Sequence, residues 1–102
     1  METPDNWVVF SVKEDDVVVY KILAGWSGGY LYGNSWRVNS GIKKITENND
    51  YYYVEGYSGS IYCLNKNSEI MRMNISPIWD ALFKKYPDRV KLVKLSEIVS
   101  RI

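Results

Sequence analysis

The sequence predicts an α+β fold, in which a twisted antiparallel β-meander of five to seven short strands curls toward a half-open small barrel and one C-terminal helix packs on it. Runs of β-branched and aromatic residues, separated by polar or glycine-rich breaks, fill residues 1–75. Aromatic residues make up 15% of the 102 residues, and nine of them are tyrosines, which favour strands with one wet face. A helical apolar stripe begins only after Ser76. This length predicts a single domain.

The first two elements are predicted to form a β-hairpin. Residues 7–12 and 17–23 are rich in valine, isoleucine and aromatic side chains, and the polar residues 13–16 separate them. A connection this short between two such runs is typical of an antiparallel pair.

The next strands are shorter and are divided by glycine and asparagine. Gly41 interrupts an extended pattern and indicates a β-bulge. Residues 69–74 alternate only weakly and could form a last strand of the meander. The remaining predicted strands are residues 30–32, 36–40, 42–45, 51–55 and 61–64.

Two Gly-aromatic-Ser-Gly clusters, at residues 25–29 and 56–60, are compatible with an internal duplication or with convergent turn chemistry in an all-β protein. The segments 20–30 and 51–61 that contain them align without a gap. Because strands flank both clusters, we expect tight turns or bulges in which glycine supplies a positive φ, not a phosphate-binding loop. The alternative is that Trp26 and Tyr57 project together and contact a ligand.

The C-terminal segment changes to a helical period. Ser76 is a good N-cap and Pro77 a good first helical residue, and apolar side chains then recur on one side up to Tyr86. This pattern predicts a helix over residues 77–86. The ambiguous end of the chain is predicted as a strand over 90–95 and a short helix over 97–101.

The composition excludes several classes of chemistry. The chain has no histidine and one cysteine, which removes histidine-based catalysis, an intrachain disulfide and multi-cysteine zinc sites. We expect a protein that is not an enzyme and that needs neither a cofactor nor a metal. Cys63 is expected to be a small strand residue. The absence of an export signal and of a long apolar run predicts a cytoplasmic protein away from membranes.

The aromatic excess favours an interaction module that presents exposed rings to a protein partner or to a second copy of itself. A net charge of −2 over residues 1–50, from five basic and seven acidic residues, argues against nucleic acid as the partner. The candidate binding residues are Trp26, Tyr30, Trp36, Tyr52 and Tyr57.

Two further sites stay open as alternatives. Basic residues concentrate near the C-terminus and could form an anion-facing patch, which comprises Lys84, Lys85, Arg89 and Lys91. A cleft between the sheet and the helix, lined by tyrosines and a carboxylate, would instead bind a small molecule or act as a weak hydrolase. The clustered acids of the first turn, Glu14, Asp15 and Asp16, are expected to be solvated turn residues.

Overall fold

The computed structural model describes residues 1–29 and 33–102, and this part of the chain contains seven strands and two α-helices. The predicted strand at 30–32 lies outside the described residues. Two short 3₁₀ turns, Lys66–Ser68 and Val99–Arg101, complete the regular structure. The elements are β1 (Asn6–Glu14), β2 (Val17–Gly29), β3 (Gly33–Val38), β4 (Ile42–Glu47), β5 (Tyr51–Gly56), β6 (Ile61–Asn65), α1 (Ser76–Lys85), β7 (Val90–Val93) and α2 (Leu95–Ile98).

The strands form two antiparallel sheets, which confirms the α+β class and the C-terminal helix. The four-stranded sheet has the order β3-β2-β1-β7 and the three-stranded sheet the order β4-β5-β6. The strands are divided between two separate sheets, which do not close into a barrel. The chain leaves the first sheet after Asn39, whose backbone N–H donates to the Ile22 carbonyl, and turns at Gly41, where φ is +133°.

The two sheets and α1 are stacked as three layers around β1. Trp7 and Val9 point into a core that the three-stranded sheet and α2 complete. Val8 and Phe10 point the other way, into a second core closed by α1. Because successive strand residues face opposite sides, a stretch buried on both faces must be apolar at nearly every position, as residues 7–10 of β1 are.

The predicted first hairpin is confirmed and extends further than its apolar runs. β1 and β2 pair from Asn6↔Gly25 to Glu14↔Val17, so only Asp15 and Asp16 form the connection. Asp15 has a φ of +54°, which short polar side chains tolerate in two-residue hairpin turns.

The two glycine clusters differ in structure: the first lies at a bulge and the second forms a turn. Residues 25–29 lie inside β2, and the register with β3 shifts between Trp26 and Gly29 as in a β-bulge. The second cluster makes the turn between β5 and β6, with Gly59 at a φ of +93°. The duplication itself stays a prediction.

The predictions for the C-terminal third need three corrections. Residues 69–74 form no strand: Glu69 makes a single bridge to Trp7, and the chain then turns into α1. Ser76 is the first residue of α1 and not its N-cap as predicted. Buried Ile75 occupies the N-cap position and makes no side-chain hydrogen bond there. The last strand ends at Val93, and α2 begins at Leu95, whose N–H donates to the Glu69 carboxylate at 3.0 Å.

A reciprocal pair of buried amides joins the start of β1 to the segment before α1. Asn6 Nδ2 donates to Asn74 Oδ1 at 3.0 Å, and Asn74 Nδ2 donates to Asn6 Oδ1 at 2.6 Å. Asn6 also donates to the Ile70 carbonyl at 3.2 Å. Gly25 makes room for the pair, since a methyl group there would lie 2.7 Å from Asn74 Nδ2.

We expect Asn6→Ala to lower the free energy of unfolding by about 1–3 kcal/mol, because it leaves the buried Asn74 amide without its partner. Asn74→Ala should have a similar effect, and the double variant should lose less than the sum of the two. Urea unfolding measures all three, with exposed Asn67→Ala as the control that changes stability little. Strictly additive losses would contradict the coupling.

Candidate functional site

The predicted aromatic residues occupy very different environments. Trp36 and Tyr57 are 51% and 64% exposed, so both rings are open to solvent. Trp26 is half-buried, and Tyr52 is only 7% exposed. Tyr30 lies outside the described residues.

Tyr52 is a core residue and is not the exposed ring expected from the sequence. Its ring meets Trp7 edge-to-face, with the ring centroids 6.0 Å apart. Lys66 Nζ lies 4.7 Å from the Tyr52 ring centroid and forms an ion pair with Glu47 at 2.7 Å. The alternation along β5 turns Tyr52 inward, whereas the flanking rings of Tyr51 and Tyr53 pack together on the opposite face, 6.3 Å apart.

Trp26 holds the N-terminal segment and does not project outward as predicted. Its ring packs against the core between the two sheets, and its Nε1 donates to the Thr3 carbonyl at 3.2 Å. The next residue is tied to the same segment, because the Ser27 N–H donates to the Asp5 carboxylate at 2.7 Å. Trp26 is therefore a structural residue of β2 that anchors the N-terminal segment.

The two remaining exposed aromatics belong to separate parts of the molecule. Trp36 is two residues from Val38 on β3 and therefore shares its face of the four-stranded sheet, which is the face covered by α1. Tyr57 follows β5 in the other sheet, and its N–H donates to the Gly41 carbonyl. The structure thus does not gather the predicted rings into one cluster.

The four edges of the two sheets are protected to different degrees. The outer edge of β6 is covered where Glu2 bonds to Ile61 and Cys63 through its backbone. The edge strands β4 and β7 carry exposed lysines, a common safeguard against further strand pairing. In β3, Arg37 is the one charged residue, and it forms an ion pair with Glu2 at 3.0 Å.

A cleft opens between α1 and the four-stranded sheet. Its volume is about 290 Å³. Among the described residues, Tyr86 is the one tyrosine that lines the cleft. The described part of the lining therefore lacks the several tyrosines that were expected. The complete lining is Phe10, Val12, Glu14, Lys21, Val38, Leu82, Tyr86, Arg89 and Val90.

The predicted anion-facing patch is spread over two neighbouring openings beside β7. Arg89 lines the cleft, and Lys85 lies beside it with its Nζ 5.3 Å from the Tyr86 ring centroid. Lys91 pairs with Ser11 and does not line this cleft; together with Arg89 and Phe83 of α1 it lines a separate groove at the β7 edge. Lys84 is exposed at the end of α1.

Comparison with known proteins identifies no relative of this chain: no family model, no curated protein and no solved structure matches it. Within the described residues, no three His, Cys, Asp or Glu side chains lie close enough together to hold a metal ion. None of the helices described is both long enough and apolar enough to span a membrane.

The hydroxyl of Tyr62 has a perturbed environment at the junction of the two sheets. The side chain is buried, and burial raises the pKa of Tyr62 above its ordinary value of 10.0. The charge and hydrogen bond of Arg37 act against this shift, and the Glu2 carboxylate adds to it. Tyr62 thus reports on the contact between β3, β6 and the N-terminal segment.

We expect the wild-type protein to lose stability more steeply than Tyr62→Phe above pH 10. A pKa raised by folding stabilises the folded state below the unfolded value of 10.0, and this contribution is lost as pH rises toward and through the folded value. Urea unfolding at a series of alkaline pH values measures the difference, with exposed Tyr57→Phe as the matched control. Identical pH profiles for wild type and Tyr62→Phe would contradict the assignment.

Proposed function

We propose that the protein is a non-enzymatic interaction module that pairs with a second copy of itself through the outer edge of β3. The observation that carries the proposal is Trp36, a large aromatic side chain that is 51% exposed on an edge strand. Tryptophan is among the residues that most often anchor protein interfaces, and an unprotected edge strand is a template for another strand.

The hydrogen-bonding pattern of β3 supports this edge as the contact. The Asn39 N–H donates to Ile22 of β2, which identifies these two residues as a hydrogen-bonded pair. Antiparallel strands alternate between hydrogen-bonded and non-bonded pairs, so the backbone groups of Val38 and Trp36 point away from β2. The ring of Trp36 therefore stands beside backbone groups that a new strand would engage.

The charge distribution favours a second copy as the occupant. A two-fold axis beside β3 would pair the strand with its own copy in antiparallel orientation and extend the sheet to eight strands, twice the four of one chain. The one charged residue of β3, Arg37, is already neutralised by Glu2 and so opposes this approach little. By contrast, the lysines on β4 and β7 would bring like charges together.

The cytoplasm is the compartment in which we propose that this association takes place. Cys63, the one cysteine of the chain, is a free thiol and is half-buried in β6. A thiol without a disulfide partner suits a reducing compartment.

We expect Trp36→Lys to weaken self-association by roughly tenfold or more, because it removes the aromatic anchor and adds a charge to the pairing edge. Size-exclusion chromatography with light scattering over a dilution series measures the effect. The unfolding midpoint of each variant checks that the fold is retained.

Tyr57→Lys is the matched control, since it places a lysine at another exposed aromatic residue, next to the other sheet. It should leave the dimer intact. A wild-type protein that stays monomeric at every concentration, or a Trp36→Lys variant that dimerises like wild type, would overturn the proposal.

A further inference from the structure

We propose that the cleft between α1 and the four-stranded sheet is a binding site for a small amphipathic carboxylate, an acid with a short acyl chain. This site is independent of the β3 edge and does not require self-association. Its apolar floor, its charged rim and its size each restrict the ligand.

The inner part of the cleft is apolar. Four elements contribute to it, namely β1, β3, β7 and α1, and the contributing side chains are Phe10, Val12, Val38, Leu82 and Val90. A volume of about 290 Å³ is at the lower end of the range for small-molecule sites. An acyl chain would fill this space and gain stabilisation by leaving water.

The rim carries two cations that have no acidic partner. Lys21 and Arg89 both line the cleft, together with Glu14. The ion pairs found among the described residues are Arg37–Glu2 and Lys66–Glu47, so neither rim cation is neutralised by a carboxylate within 4.0 Å. Lys85, held over the Tyr86 ring, adds positive charge beside the same opening.

This arrangement favours a single negative charge at the head of the ligand. A carboxylate can accept two hydrogen bonds from one guanidinium, which suits Arg89, and Lys21 can add a point charge. Glu14 would repel a head group with several negative charges, such as a phosphate monoester. A ligand with a cationic head group would be repelled by Lys21 and Arg89 and attracted only by Glu14.

The direct test is a titration of the full-length protein with octanoate, octylamine and octanol, which share one chain and differ in head group. Calorimetry measures the affinities, and amide chemical shifts locate the site. Trp79 gives a further signal, because its ring centroid is 5.6 Å from that of Phe10 in the cleft. Octanoate should bind most tightly, with shift changes concentrated in the residues that line the cleft.

Charge variants distinguish a built site from general attraction. Arg89→Gln and Lys21→Gln should each weaken octanoate binding by roughly tenfold, because each removes a charged hydrogen-bond donor. Glu14→Gln should strengthen binding, since it removes the opposing carboxylate. Lys91→Gln loses the same charge at a residue that does not line the cleft and should leave the affinity unchanged.

Three results would overturn the proposal. The first is no detectable binding of octanoate. The second is equal affinity for octanoate and octylamine, which would show that the rim does not select charge. The third is an equal loss of affinity in Lys91→Gln and Arg89→Gln, which would reduce the effect to the overall charge of the protein.

Discussion

The burial of β1 on both of its faces is the constraint on which the rest of the molecule depends. Trp7 and Val9 are fully buried toward the three-stranded sheet, and Phe10 is buried toward α1. A strand in this position needs hydrogen-bonded neighbours on both edges and an apolar layer on both faces. β2 and β7 provide the first, and the second sheet and α1 provide the second.

The segment before β1 decides which sheet edge stays open. Glu2 bonds along β6 and pairs its carboxylate with Arg37, while Asn6 at the start of β1 is locked to Asn74. One short stretch of chain therefore closes the β6 edge, neutralises the charge on β3 and fixes the approach to α1. The proposed pairing edge is a consequence of how β1 is anchored.

The elements set by local pattern could be predicted from the sequence. The first hairpin and the helix near Pro77 each depend on residues close in the chain, and both are present. The division into two sheets could not be predicted, because it depends on the hydrogen bond between Asn39 and Ile22 and on the backbone of Gly41. Glycines at 25–29 are typical of a turn, but pairing with β3, and of Gly25 with β1, keeps that segment in a strand.

The candidate sites were predicted less well, for a related reason. The three consecutive tyrosines, residues 51–53, must alternate between the two faces of their strand, but the sequence does not show which face is buried. Packing against the distant residue Trp7 buries Tyr52. Exposed Trp36 was a correct candidate for a surface residue. The cleft brings Lys21 and Arg89 together from distant parts of the chain, and only the fold places both at one opening.

Native-state hydrogen exchange tests the central position of β1 most directly. If β1 joins the two cores, the amides of Val8, Val9 and Phe10 exchange only when the whole molecule unfolds, with an opening free energy equal to that from denaturant unfolding. The amides of β2 paired with them should share that value. Exchange of the β1 amides through a lower-energy local opening, while the three-stranded sheet stays protected, would contradict this account.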